Sequence, residues 1–199
     1  GIGVILGIVI LISTLFWGRV FCAYLCPLGT LSEAIYYVRG KAKRLAIPRY
    51  IDRHLLRAKF IVFAVTVFLV ISGFAWAFIR FCPMFLTSLI PSIALSGVIH
   101  LTLLAILSIA LERFWCRYLC PFAALIIIFM KVGNLFGIKR MKVKRNLERC
   151  VDCGFCIKSC PMNIDLSESE YINNYECIVC MKCANSCPKP KTITREYER

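Results

Sequence analysis

Long apolar runs alternate with short basic segments along the first two thirds of the chain. Residues 1–17 carry no charged side chain, and further apolar runs cover residues 58–79 and 97–112. At about 1.5 Å of rise per residue, helices of this length approach the thickness of a bilayer core. We therefore predict three transmembrane helices in these ranges. The third helix has an alternative start near Leu86, with a break at Pro91.

Two shorter apolar segments directly follow the first and third runs. Residues 27–38 include Ser32 and Glu33 and are too few to cross a bilayer, whereas residues 121–137 are of marginal length. We predict that both segments form interfacial or re-entrant helices. A fourth crossing by the second segment is the alternative.

The charge distribution predicts how these helices are oriented. The chain is 59% hydrophobic with a mean hydropathy of +0.73, yet its formal net charge is +14. This combination excludes an ordinary soluble domain and is typical of a membrane protein that concentrates Lys and Arg on one side. The segment between the second and third runs contains only Arg80, so we predict a multi-pass inner-membrane protein whose C-terminal part is cytoplasmic. The basic residues that carry this prediction are Arg39, Lys41, Lys43, Arg44, Arg49, Arg53, Arg57 and Lys59, and then Lys139, Arg140, Lys142, Lys144 and Arg145.

A nine-residue motif occurs twice in the apolar part of the chain. The pattern R-x-x-C-x-Y-L-C-P spans residues 19–27 and recurs over residues 113–121. Each copy follows an apolar run and precedes a shorter one, so we predict a twofold internal repeat related by a pseudo-twofold axis along the membrane normal. Such an axis would bring the cysteine pairs together at the cytoplasmic face.

The C-terminal segment contains a second, unrelated duplication. The run C-x2-C-x2-C-x3-C-P begins at Cys150 and again at Cys177, which is the ligand spacing of bacterial two-cluster ferredoxins. Zinc sites use pairs of ligands rather than such runs, and disulfides are unusual in the cytoplasm. In this spacing the fourth cysteine of each run binds the other cluster. We therefore predict two [4Fe–4S] clusters, one held by Cys150, Cys153, Cys156 and Cys187 and the other by Cys177, Cys180, Cys183 and Cys160.

These patterns together define the fold class. We predict a mainly α protein, with a transmembrane helical bundle over residues 1–138 and a small α+β two-cluster ferredoxin domain over residues 139–199. A bis-histidine haem within the membrane needs two inward-facing histidines. The only histidines are His54, in a basic loop, and His100, in the third run, so we expect no haem.

The cysteines of the membrane motif are candidates for a further redox or metal site. The proline after the second cysteine of each copy disfavours helix before it and suits the first position of a new helix. That cysteine becomes a candidate helix N-cap, where the helix dipole favours a thiolate. Three roles remain open for these four thiols: ligands of an additional metal centre, disulfide formation, and the lining of a quinone site. The residues are Cys22, Cys26, Cys116 and Cys120.

The order of these motifs resembles a known family. The pattern W-G-R-x-F-C-x-x-x-C-P-x-G over residues 17–29, a second C-x3-C-P and a two-cluster ferredoxin module are similar to the NapH/NosR/CcoG group of membrane polyferredoxins. These 199 residues include no counterpart of the large periplasmic flavin-binding region of the NosR type or of the extra C-terminal domain of the CcoG type, so we expect the chain to be most similar to the NapH type. The resemblance implies a quinol dehydrogenase component of the inner membrane.

Three functions follow from these expectations. The first is a membrane-bound iron–sulfur protein that passes electrons between the quinone pool and a redox partner, as an oxidoreductase component rather than a stand-alone enzyme. The second is a reductase or assembly factor that reduces a metal ion or metal centre, as a copper reductase does. The third is a redox-sensing membrane scaffold. The expected partners are the lipid bilayer, a quinone and another redox protein subunit, with no nucleic acid.

Overall fold

The computed structural model describes residues 2–38, 48–74, 95–167 and 169–198. Some of the predicted features lie outside these ranges: the first part of the basic segment, the end of the second predicted span, the segment that follows it, and the alternative start of the third span. The residues concerned are Arg39, Lys41, Lys43, Arg44, Arg80, Leu86 and Pro91.

The described helices follow the apolar runs of the sequence. The first run forms α1 (Ile2–Trp17). The two shorter segments form α3 (Pro27–Val38) and α7 (Pro121–Leu135), each beginning at its proline as predicted. The second run begins within α4 (Arg49–Ile71). The third run overlaps a helix that starts two residues earlier and ends two residues sooner than the run. The remaining helices are α2 (Val20–Tyr24), α5 (Leu95–Ala110), α6 (Phe114–Tyr118), α8 (Phe155–Ser159) and α9 (Lys182–Asn185).

One helix among the described residues is long and apolar enough to cross a membrane. It covers 22 residues, Tyr50–Ile71, which corresponds to about 33 Å of helix. Large apolar side chains such as Ile61, Phe68 and Ile71 are mostly exposed along it, as expected for a surface that faces lipid. The protein is therefore mostly helical with one candidate membrane helix, and the other two spans and the twofold axis remain predictions.

Contacts divide the chain into two compact units. The first unit comprises Gly1–Leu25 and Ile126–Arg199, and the second comprises Cys26–Leu125. This grouping differs from the predicted division after residue 138, because α1 packs within the first unit against C-terminal residues. A Cβ atom on Gly133 would lie 2.9 Å from the Leu15 side chain, so glycine permits this close approach of α7 to α1.

The C-terminal segment contains a small antiparallel sheet, which supplies the β part of the predicted α+β domain. The strands are β1 (Arg140–Arg145) and β2 (Ile193–Glu198), with Arg140 opposite Glu198 and Arg145 opposite Ile193. Val143 is almost fully buried on one face of the strand, and Lys142, which points to the other face because successive side chains alternate, is also buried. Strand β1 ends at Arg145, five positions before Cys150, the first cysteine of the first run.

In the second unit, α3 packs against α5 and α4 packs against α6. The link between α4 and α6 is polar and buried. Asp52 accepts a hydrogen bond of 2.5 Å from Arg117 and one of 2.6 Å from Tyr118. Both carboxylate oxygens of Asp52 therefore have a donor, which offsets the cost of burying the charge.

Candidate iron–sulfur sites and the membrane-motif cysteines

Four of the predicted cluster ligands line one cavity, here called the first cavity. Cys150, Cys153, Cys156 and Cys187 surround a space of about 140 Å³. Cys150 and Cys153 lie on the loop that leads into α8, Cys156 lies in the first turn of α8, and Cys187 follows α9 from the other cysteine run. The loop turns sharply at Gly154, whose φ of 72° is a conformation that glycine adopts without steric cost.

The other four predicted ligands line a second cavity. Cys160, Cys177, Cys180 and Cys183 meet around a smaller space of about 20 Å³. The wall is otherwise apolar, and it includes Val143 of strand β1. Each cavity thus combines three cysteines of one run with the last cysteine of the other, which is the crossed arrangement that two-cluster ferredoxins require.

The thiols of these cavities are held by backbone donors and by burial. The N–H groups of Val179 and Ala184 donate hydrogen bonds to the sulfur atoms of Cys177 and Cys183. Burial nevertheless raises the pKa of Cys177 to about 11 and that of Cys183 to about 12. Thiolates in such a place need a nearby cation, and iron supplies that charge when a cluster binds.

The geometry fits [4Fe–4S] clusters. Each cavity presents four thiols around a central space, with backbone N–H groups that accommodate sulfur charge. Within the described ranges, no three Cys, His, Asp or Glu side chains lie close enough together to bind one metal ion. Four cysteines around each cavity match the number and type of ligands that a [4Fe–4S] cluster takes.

One residue of the first cavity was not identified from the sequence. Arg145 was assigned only to a basic run, but its side chain is buried and its Nε donates to Cys150 Sγ over 3.1 Å. Its position at the end of a strand, shortly before a cysteine run, is the only sequence signal. That signal does not reveal the contact, because the contact depends on where the loop folds.

The first copy of the membrane motif contacts the loop of the second cavity, within the first unit. The fully buried Arg19 pairs through Nη1 with Glu176 Oε2 at 2.7 Å, and Glu176 directly precedes the ligand Cys177. The hydroxyl of Tyr24 donates to the carbonyl of Cys180 over 3.3 Å. The sequence did not predict these partners for the motif.

The second copy of the motif has a different set of partners, within the second unit. Arg113 occupies the position that corresponds to Arg19, and it adopts a left-handed backbone conformation with φ of 57°. Its guanidinium donates to Glu33 Oε2 through Nε at 3.1 Å and through Nη2 at 2.5 Å. The two copies therefore share a sequence pattern but not their contacts.

The structure brings two of the membrane-motif cysteines together. Cys26 and Cys116, one from each copy of the motif, are hydrogen-bonded through their side chains. Cys26 lies between α2 and α3, and its pKa is lowered to about 6, chiefly by that hydrogen bond and also by the N–H groups of Gly29 and Leu28. Those N–H groups belong to the first turn of α3, so the predicted N-cap role of Cys26 is confirmed. Cys22 is buried in the first unit, and Cys120 lies directly before α7.

Comparison with known proteins matches both parts of the chain. The family described as "4Fe-4S binding domain" matches residues 1–45 and 93–139, and each of these stretches contains one copy of the membrane motif. The family described as "4Fe-4S dicluster domain" matches residues 142–194, which contain all eight predicted cluster ligands. YccM of Escherichia coli (strain K12) is 30% identical over 95% of the chain and 54% of its own length. Protein MJ0750 of Methanocaldococcus jannaschii is 33% identical over 92% of the chain and 74% of its own length.

This chain belongs to the family of membrane-associated ferredoxin-type proteins. The ferredoxin-type protein NapH of Escherichia coli (strain K12) is 24% identical over 90% of the chain and 63% of its own length, and the regulatory protein NosR of Stutzerimonas stutzeri also matches. The predicted resemblance is thus confirmed. As a ferredoxin-type protein with 4Fe–4S domains, the chain is an electron-transfer protein. It spans about half the length of YccM. No solved structure matches it.

Proposed function

We propose that this chain carries electrons between the quinone pool and a separate redox protein, as the membrane component of an oxidoreductase. The contact of the first membrane motif with the second cavity carries this proposal. Arg19 pairs with Glu176, and Tyr24 donates to the carbonyl of Cys180, so the motif lies directly against the ligand loop. An electron that enters near the motif has only a short distance to cross before it meets a candidate cluster.

The residues of the two cavities have separate tasks in this proposal. The clusters, when bound, supply reversible one-electron transfer. The cysteines hold them, and the apolar wall of the second cavity, with Val143, Ile172 and Ile178, excludes water from one site. The lining of the first cavity also includes charged residues such as Arg149 and Lys189, and Lys189 and Lys191, which follow Cys187, are exposed. Exposed lysines at this point favour an acidic redox partner, since opposite charges steer association.

We also propose a multi-pass topology in the inner membrane with the ferredoxin domain in the cytoplasm. The basic segments before α4 and along β1 support it through the positive-inside rule. A reporter that is active only in the cytoplasm, fused after residue 199, should be active. Activity of a reporter that works only outside the cytoplasm would contradict this orientation.

The experiment that tests the electron-carrier proposal uses the whole chain in detergent. The protein is mixed anaerobically with excess menaquinol, and the iron–sulfur absorbance band and EPR signals are followed. We expect reduction in the unaltered protein. In the variant with alanine at Cys22, Cys26, Cys116 and Cys120, we expect no response to menaquinol, although dithionite still reduces its clusters. If menaquinol leaves the unaltered clusters oxidised while dithionite reduces them, quinol oxidation is wrong.

A second candidate function, reduction of a bound metal ion, is favoured by the Cys26–Cys116 contact. Two adjacent thiol groups suit a soft ion such as Cu⁺. If this function holds, Cys26→Ala should weaken Cu⁺ binding to the purified chain, whereas Cys153→Ala should leave that site intact. Equal Cu⁺ affinity in the unaltered chain and in Cys26→Ala would eliminate this candidate.

A further inference from the structure

Arg145 occupies a fixed place beside the first cavity. Its backbone N–H donates to the carbonyl of Glu170 over 2.7 Å, and it pairs with Ile193 across the sheet. The side chain makes three contacts. Nη1 donates to the carbonyl of Leu166 over 2.9 Å, Nη2 forms an ion pair with Asp152, and Nε donates to Cys150 Sγ over 3.1 Å. A guanidinium held at three points keeps its charge at this sulfur.

The carboxylate beside Arg145 cancels this charge only in part. The Asp152 side chain is 77% exposed, so water screens it, whereas the Arg145 side chain is only 5% exposed. The charge of Arg145 also reaches a second ligand, Cys156, whose thiolate it favours, although burial is the larger influence and raises the pKa of that thiol.

The second cavity has a different electrostatic environment. Among the described residues that line it, none is Lys or Arg. Two buried guanidinium groups interact electrostatically with its ligand Cys177 from outside the lining: Arg19, which is paired with Glu176, and Arg140, which stacks on the ring of Tyr175. The first cavity differs in that Arg145 lines it and donates directly to a ligand sulfur.

We propose that Arg145 is a positioning residue that raises the reduction potential of the cluster in the first cavity. This inference rests on the proposed assignment of both cavities to [4Fe–4S] clusters. Each cluster, when bound, would take up one electron from the reductant and gain one negative charge, with no proton transferred to Arg145. A buried cation that donates a hydrogen bond to the ligand sulfur stabilises the reduced state, because hydrogen bonds and net charge set the potential.

The test is an EPR-monitored potentiometric titration of the full-length protein with dithionite. Arg145→Gln should lower the equilibrium constant for one of the two reduction steps at least about tenfold, a shift of about 59 mV for one electron. The other step should stay in place. Lys144→Gln is the matched control, because it removes the same charge one position away, where the side chain pairs with Glu196 instead of facing the cavity. It should move neither step.

Asp152→Asn separates a charge effect from a loss of structure. It breaks the same ion pair by removing the negative charge, and it leaves the guanidinium of Arg145 beside the ligand sulfur. Asparagine tolerates the φ of 49° at this position. The potential of the same cluster should therefore rise, in the direction opposite to Arg145→Gln. A purely structural role for Arg145 would move both variants the same way, and that result would overturn the proposal.

The iron and sulfide content of the protein distinguishes a failure of the proposed role of Arg145 from a failure of the proposed function. If the unaltered protein binds two clusters but Arg145→Gln and Asp152→Asn leave both potentials where they were, the role of Arg145 is wrong while the proposed function stands. If the unaltered protein binds fewer than two clusters, the proposed function fails first. If Arg145→Gln does not retain the cluster of the first cavity, the proposal is tested with Asp152→Asn alone. A reduction potential of that cluster that is unchanged or lower in Asp152→Asn contradicts the proposal.

Discussion

Replacing Glu176 with glutamine leaves the buried guanidinium of Arg19 without its counter-charge. Arg19 is fully buried, and its Nη1 lies 2.7 Å from Glu176 Oε2. Neither side chain is exposed enough for water to replace its partner. The substitution should therefore cost as much stability as breaking a buried ion pair, about 3–5 kcal/mol. We expect Glu176→Gln to lower the free energy of unfolding of the first unit by that amount.

The assay is anaerobic urea unfolding in detergent, followed by the loss of the iron–sulfur absorbance band. The matched control is Glu196→Gln, which breaks the 3.1 Å pair between Lys144, 27% exposed, and a carboxylate that is 43% exposed. That control should cost less than about 1 kcal/mol. The double variant Arg19→Met with Glu176→Leu removes both charges, and it should recover most of the loss, since apolar replacements of buried pairs are often neutral.

One pattern of results would contradict the predicted stabilising role of the Arg19–Glu176 pair. If Glu176→Gln shifts the urea midpoint no more than Glu196→Gln does, with an unchanged slope, the Arg19 pair does not hold the motif against the ligand loop. The contact would then be an incidental feature of the fold, and the route for electrons near Cys180 would lose its structural support.

Three further predictions concern other parts of the chain. Cys153→Ala and Cys180→Ala should each lower the iron content from about eight to about four atoms per chain, and an unchanged content would reject the ligand assignment. Asp52→Asn should destabilise the second unit by about 3 kcal/mol or more, because Arg117 loses its buried counter-charge; melting at the wild-type temperature would contradict this. Cys26 should react with iodoacetamide at a rate that rises as the pH passes about 6, because its thiolate forms there, and Cys116→Ala should shift that midpoint upward.

Local rules predicted several features of this protein from the sequence. Proline after the second motif cysteine set the starts of α3 and α7, and the same rule predicted Cys26 as an N-cap. The spacing of the two cysteine runs predicted which thiols would meet, and the structure places those sets around two cavities. These features depend on a few neighbouring residues or on a ligand geometry that fixes the spacing.

The unpredicted features all depend on tertiary contacts. Arg145 and Arg19 looked like members of basic segments, and their partners Cys150 and Glu176 are identified only by the fold. The pairing of Cys26 with Cys116 joins segments some ninety residues apart, and periodicity carries no information about such a contact. The packing of α1 against strand β1 within the first unit likewise joins residues that are far apart in the sequence.

The most direct test of electron transfer between quinol and a partner is a rate measured across a reconstituted membrane. The protein is inserted into liposomes that contain menaquinol, and a one-electron acceptor that cannot cross the bilayer is added outside. We expect steady reduction of the acceptor by the unaltered protein and background rates for Cys153→Ala and Cys180→Ala. Acceptor reduction at the wild-type rate by both variants would contradict electron transfer through the two clusters.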